Sequence, residues 1–177
     1  MKKLNVIDLD KTLIPYDSFE SIVLDRIKSG KIVYLFWSIL RKLRIIDRET
    51  YKQKIFLLLK NEKQIVIDRI IDLIKESLDK NVLSIISAHS SEDEENIIVS
   101  ASPNIYVKKI KDFLGWESYG SDYYNGRFIN LYRENKIKFI LEKYPKDKYY
   151  YNFAISDSET DKHLLDLFKQ QKLYKRK

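Results

Sequence analysis

The chain has 177 residues, 44% of them hydrophobic, which suits one domain or a small core with an inserted subdomain and excludes wholesale disorder. Cysteine is absent, so disulfide frameworks, thiolate zinc sites and cysteine nucleophiles are excluded together. The net charge of +7 would attract anions, but the lysines are scattered and no dense basic block with interleaved aromatics marks a nucleic-acid surface.

Leu4 to Asp8 reads as a short buried strand with a carboxylate at its C-terminal end. No apolar signal core with a small-residue cleavage site precedes it, which predicts a cytoplasmic protein. From Asp17 to Ser91 the pattern is helical. Phe19, Ile22, Val23 and Ile27 mark one apolar face, Tyr51, Ile55, Leu58 and Leu59 a second, and Ile67, Ile70, Ile71, Ile74 and Leu78 a third. Lys28-Ser29-Gly30 and Lys60-Asn61-Glu62 read as breaks between helices. The most apolar run, Ile32 to Leu40, is about half the length needed to cross a bilayer. A buried helix is the expectation there, with peripheral contact with a membrane as the other reading.

The polar stretch Ser90 to Asn96 reads as a loop, after which Ile97-Ile98-Val99 resumes strand character and ends at Ser100-Ala101-Ser102. Ser102-Pro103 has the form of a helix start, with Ser102 as its cap. Tyr106, Ile110, Phe113 and Leu114 give that helix a face and Gly115 a stop. Asn125-Gly126, between aromatic and aliphatic residues, predicts a hairpin. Ile137, Ile140, Leu141 and Tyr144 mark a helix ending before Pro145. Tyr149 to Ile155 reads as a strand running into Ser156-Asp157-Ser158-Glu159-Thr160-Asp161, followed by a helix carrying Leu164, Leu167 and Phe168 and an edge strand at Leu173-Tyr174. Strands alternating with helices predict an α/β fold: a Rossmann-like parallel sheet with helices on both faces. Its core would comprise residues 1–16 and 92–177, with 17–91 inserted as a helical cap.

Parallel sheets bind ligands beyond the carboxyl ends of their strands. There the pattern gathers Asp8 and Asp10, Ser100, and Asp157 with Asp161, while Lys136 or Lys138 can reach in from a helix start. Carboxylates held together repel unless a cation intervenes, and a hard divalent ion such as magnesium takes oxygen ligands. With a hydroxyl and an ammonium added, the set suits phosphoryl chemistry. His89 and His163 are isolated and read as surface or packing residues.

The ordered elements DLDKT (Asp8 to Thr12), VSAS (Val99 to Ser102), Lys136 and SDSETD (Ser156 to Asp161) resemble the haloacid dehalogenase superfamily, in its phosphoserine-phosphatase-like branch with a helical cap. The resemblance implies that Asp8 is a nucleophile forming an aspartyl-phosphate and that Asp10 is the general acid and base. It implies magnesium held by the side chains of Asp8 and Asp157 and the main-chain carbonyl of Asp10. Ser100 and Lys136 would bind the phosphoryl group, Asp161 would orient the lysine or metal-bound water, and Thr12 would fix the turn at the substrate site. Asp17 falls near the position where relatives read the substrate's ammonium group, and it is equally a helix N-cap for Ser18 to Ile27. Ser156 stands where relatives carry a glycine, and the usual glycine before the motif lysine is missing.

The expected function is therefore a magnesium-dependent phosphatase for a small or lipid-linked phosphomonoester. Phosphoryl transfer to an acceptor other than water, or a catalytically silent basic interaction protein on the same fold, are the alternatives. The substrate and the oligomeric state stay open.

Overall fold

The computed structural model describes residues 1–90 and 94–176. Six strands form one sheet in the order β4-β3-β2-β1-β5-β6, from β1 (Lys2–Ile7), β2 (Glu94–Pro103), β3 (Glu117–Tyr124), β4 (Arg127–Ile129), β5 (Tyr149–Ser156) and β6 (Gln170–Leu173). All neighbours run parallel except β3 and β4, an antiparallel hairpin. Its turn is Asn125-Gly126, both at positive φ (50° and 77°), the form that matches strand twist.

Alternation along the central strands sends side chains to two cores. Ile7, Ile98, Phe153 and Ile155 face one side, with the helices that lie between β1 and β2. Leu4, Val6, Ile97, Val99 and Ala154 face the other, against α8 (Glu134–Lys143) and α9 (Lys162–Leu165). The fold is thus the expected α/β Rossmann-like architecture.

Between β1 and β2 lie α1 (Ser18–Lys28), α2 (Ile32–Lys42), α3 (Arg48–Lys60), α4 (Gln64–Glu76) and α5 (Lys80–Ala88). Breaks fall after Lys28 and Lys60 as the sequence predicts; two more, before Asp47 and Asp79, are set by aspartates that N-cap α3 and α5. The expected loop at Ser90 to Asn96 and the boundary between residues 91 and 92 fall partly outside the described residues, and β2 already begins at Glu94.

Three expectations are corrected. The Ile32 to Leu40 run is helical, but of α2 only Tyr34 is buried. On α8 the buried face is Lys136, Ile140 and Tyr144, one helical turn apart, while Leu141 is exposed. And Ser102-Pro103 does not open a helix. β2 runs on through both residues, Pro103 pairing with Ser121, and α6 (Asn104–Val107) starts afterwards without a side-chain cap. A 3₁₀ turn at Lys108–Ile110 leads into α7 (Lys111–Leu114), stopped by left-handed Gly115. Gly120 of β3 allows this path: a Cβ there would lie 2.5 Å from the Ser102 carbonyl oxygen and 2.7 Å from the Asn104 nitrogen.

Candidate active site

A cleft of about 680 Å³ lies beyond the carboxyl ends of β1, β2 and β5, walled on its far side by α1 and α3. Asp8 follows β1 directly, its amide still bonded to the Ile155 carbonyl of β5 (3.0 Å). The chain then makes a tight turn over Leu9–Leu13, closed by Ile14 N–H to the Leu9 carbonyl (3.0 Å). Lys11 takes the left-handed conformation there (φ 58°), and its side chain lines the cleft.

Lys136, buried at the start of α8, donates to Asp8 Oδ1 (2.7 Å) and to Asp161 Oδ2 (2.8 Å). Lys138 is exposed, so the structure places Lys136 at the site. Arg133, just before α8, has φ 52° and ψ −123°, a conformation natural to glycine. An arginine thus holds here a backbone shape that glycine would take without strain. Ser156 donates its hydroxyl to Asp161 Oδ2 (2.8 Å), so it braces the carboxylate that holds the lysine.

Two carboxylates share this one ammonium, leaving one negative charge over in a buried cluster. Burial pushes Asp8 up to about 7 against the pull of Lys136, with Asp161 and Asp10 adding to the rise. For Lys136 burial works against charge, but Asp8 and Asp161 outweigh it and raise its pKa. Asp157 is raised too, chiefly by burial. Thr12, buried beneath the turn, accepts from the Asp157 amide (2.8 Å), and its hydroxyl lies 3.3 Å from Asp8 Oδ2 and 3.4 Å from Asp157 Oδ1. With a single proton it can satisfy only one of the two. These two oxygens, with surplus negative charge and little compensation, fit a hard divalent cation.

Asp10 is turned away from them. Its Oδ1 accepts from the Ser18 amide (2.7 Å) at the start of α1, and its Oδ2 accepts from Ser100 (3.0 Å) and Ser102 (2.6 Å). Accordingly, no three acidic or histidine side chains converge into a ready metal cage among the described residues. Ser100 is fully buried behind Asp10 and also accepts from the Ser102 amide (3.0 Å), whereas Ala101 and Ser102 line the cleft. Ser102, read as a helix cap, is thus a partner of Asp10, linked onward to Ser18 (3.1 Å) and from there to Tyr106 (3.0 Å). Asp17 N-caps α1 through the Glu20 amide (3.0 Å) and also lines the cleft.

Sequence reasoning missed the helical wall. Lys52 of α3 is buried, donates to the Ala101 carbonyl (2.8 Å), and lies 5.3 Å from the centre of the Phe19 ring. Burial, with Arg48 adding, pushes it down to about 8. Arg48 stacks on Tyr132 (4.4 Å), bridging the two sides of the cleft, and Arg41 lines it from α2. One signal was available: Lys52 stands in register with Ile55, Phe56 and Leu59, the buried face of α3.

A family model described as haloacid dehalogenase-like hydrolase matches residues 6–166. Among solved structures, a protein of unknown function from Bordetella pertussis Tohama I is 18% identical, with a TM-score of 0.72, covering 97% of this chain and 89% of that one. A phosphoserine phosphatase in apo form has a TM-score of 0.64 at 17% identity, covering 97% and 85%. A substrate-bound phosphoserine phosphatase complex has a TM-score of 0.58 at 18% identity, with the same coverage. At these identities the solved structures speak for the fold. No curated protein sequence matches the chain significantly.

Proposed function

The chain belongs to the haloacid dehalogenase-like hydrolases, and on that premise we propose that it is a magnesium-dependent phosphomonoester phosphatase working through an aspartyl-phosphate on Asp8. The observation that carries this reading is the Lys136 ammonium between Asp8 and Asp161 at the floor of the cleft. A carboxylate at a strand end, oriented by a buried cation, is placed to attack an incoming phosphorus atom. Its phosphoanhydride is labile enough for water to release it.

Asp8 and Asp157 would hold magnesium, which supplies charge neutralisation for both the nucleophile and the phosphate oxygens. Lys136 stabilises the equatorial oxygens in the transition state, and Asp161, braced by Ser156, keeps its ammonium in place. Asp10 acts as general acid toward the leaving oxygen and as base toward water. Three donors hold its carboxylate, one on Oδ1 and two on Oδ2, so the remaining lone pair of Oδ1 can take up a proton with all three bonds kept. Ser100 and Ser102 hold Asp10 in place, and Ser102, which lines the cleft, is the one of the two that meets the phosphoryl group.

The helices between β1 and β2 act as the cap. On that side Arg41, Arg48 and Lys52 outnumber the carboxylates Asp17 and Glu20, which favours a substrate carrying negative charge beyond the phosphate that reacts. Asp17, at the start of α1, meets the substrate from the same side. The reading is tested by a screen of phosphomonoesters with and without magnesium, with Asp8→Asn as control. Turnover that needs magnesium and disappears in the variant is expected; turnover unchanged in Asp8→Asn would overturn the mechanism.

A further inference from the structure

α2 presents an apolar stripe to the outside. Its inner face is mixed: the Tyr34 hydroxyl donates to Glu62 (3.1 Å), Ser38 and the Tyr51 hydroxyl lie 3.0 Å apart, Arg41 lines the cleft, and Trp37 packs against the core. The outward stripe has three- and four-residue spacing. Ile32 is 77% exposed, Phe36 51%, Ile39 46% and Leu43 63%, and beyond the helix Ile45 is 64% exposed. A helix on a water-facing surface keeps that outer face polar. Contiguous apolar surface of this kind marks an interaction site.

Charge indicates what covers it. From Arg26 to Ile46 the sequence has no Asp or Glu, and Lys28, Lys31, Lys42 and Arg44 are exposed around the stripe. We infer that this face docks the protein peripherally on an anionic lipid surface. An apolar face ringed by cations is the arrangement that lies in the plane of the headgroups, with the long basic side chains reaching up to the phosphates. The helix lies on the bilayer and does not cross it: eleven residues extend about 16 Å against a hydrocarbon core of about 30 Å. Among the described residues no helix is long and apolar enough to span. A second copy of the chain is the poorer occupant, because a two-fold contact would set the same cations against one another. The inference goes beyond the phosphatase reading and stands without it. If both hold, docking brings the cleft mouth, which α2 lines through Ser38 and Arg41, close to lipid headgroups.

The test is co-sedimentation of the full chain with vesicles of phosphatidylcholine alone and of phosphatidylcholine with about one third phosphatidylglycerol. Binding to the anionic vesicles only, weakening as salt rises, is expected. The Phe36→Ser/Ile39→Ser double variant should lose about a hundredfold in affinity. Both side chains are exposed and lie off the cleft, so its melting temperature and its turnover of a soluble phosphomonoester should match the parent. Absence of vesicle binding, or binding unaffected by the double substitution, would overturn the inference. So would a parent chain that ignores vesicles and sediments as a dimer which the double variant dissolves, since that assigns the face to a second copy.

Discussion

On the sheet side of the cleft, Asp8, Asp157 and Asp161 stand at strand ends and loops held by main-chain hydrogen bonds; on the helical side, Arg48 and Lys52 project from α3, with Arg41 behind them. The first group is acidic and tied together through Lys136 and Thr12. The second is basic, and among the described residues Lys52 donates to a carbonyl oxygen, that of Ala101, and to no carboxylate. Chemistry that demands fixed distances belongs on the sheet, where the backbone sets them. Recognition of a ligand's outer charge tolerates long, rotatable side chains, and the helices supply those.

That division can be broken most sharply at Asp8. Asp8→Asn should lower kcat by about 10³-fold or more in a steady-state phosphatase assay. Lys136→Met should cost about 10² to 10³ in kcat, while Lys138→Met, on the exposed face of α8, leaves it unchanged. Lys52→Met should act differently, raising KM by about tenfold and moving kcat little, because it removes one charged contact to the ligand. If Lys52→Met lowered kcat as far as Lys136→Met does, the helical wall would be part of the chemistry and the comparison would fail.

Acidity sharpens it further. Asp8 titrates near 7 in the fold and near 4 when unfolded, so the folded state binds the proton more tightly. The stability contributed is complete below about pH 4 and is lost as pH rises through about 7. Magnesium favours the ionised carboxylate, so it should raise the melting temperature by a few degrees at about pH 8 and hardly at about pH 5. Asp8→Asn should abolish that difference. The smallest effect is expected at Arg133→Gly, which relieves the positive φ and should stabilise the fold by about 1 kcal/mol in denaturant titration.

What the sequence made legible was whatever is local. Strand ends, the Asn125-Gly126 turn and the carboxylates of the two acidic loops follow from short-range pattern. Two misreadings came from trusting a local rule that tertiary context overrode. Ser-Pro is a good helix start, but Gly120 lets β3 approach so closely that β2 continues through it. Ile32 to Leu40 is apolar enough to be core, but α2 turns Tyr34 and Trp37 inward and leaves Ile32, Phe36 and Ile39 outside. Lys52 and Lys136 show the converse, each a cation in the apolar register of its helix. The hydroxyl chain of Ser18, Ser102 and Tyr106 joins three separate elements and leaves no spacing to read.

The placement of β1 bears on how the chain is made. It is the central strand, but its hydrogen-bonded neighbours are distant: Lys3 is paired with Glu94 on one side and Tyr150 on the other. During synthesis the five helices between emerge and can associate while Leu4, Val6 and Ile7 still lack a sheet. The strand bearing Asp8 thus leaves the ribosome early and is among the last to be enclosed, and closing such long loops makes that step slow. In the interval it is an uncovered apolar segment, open to wrong pairings.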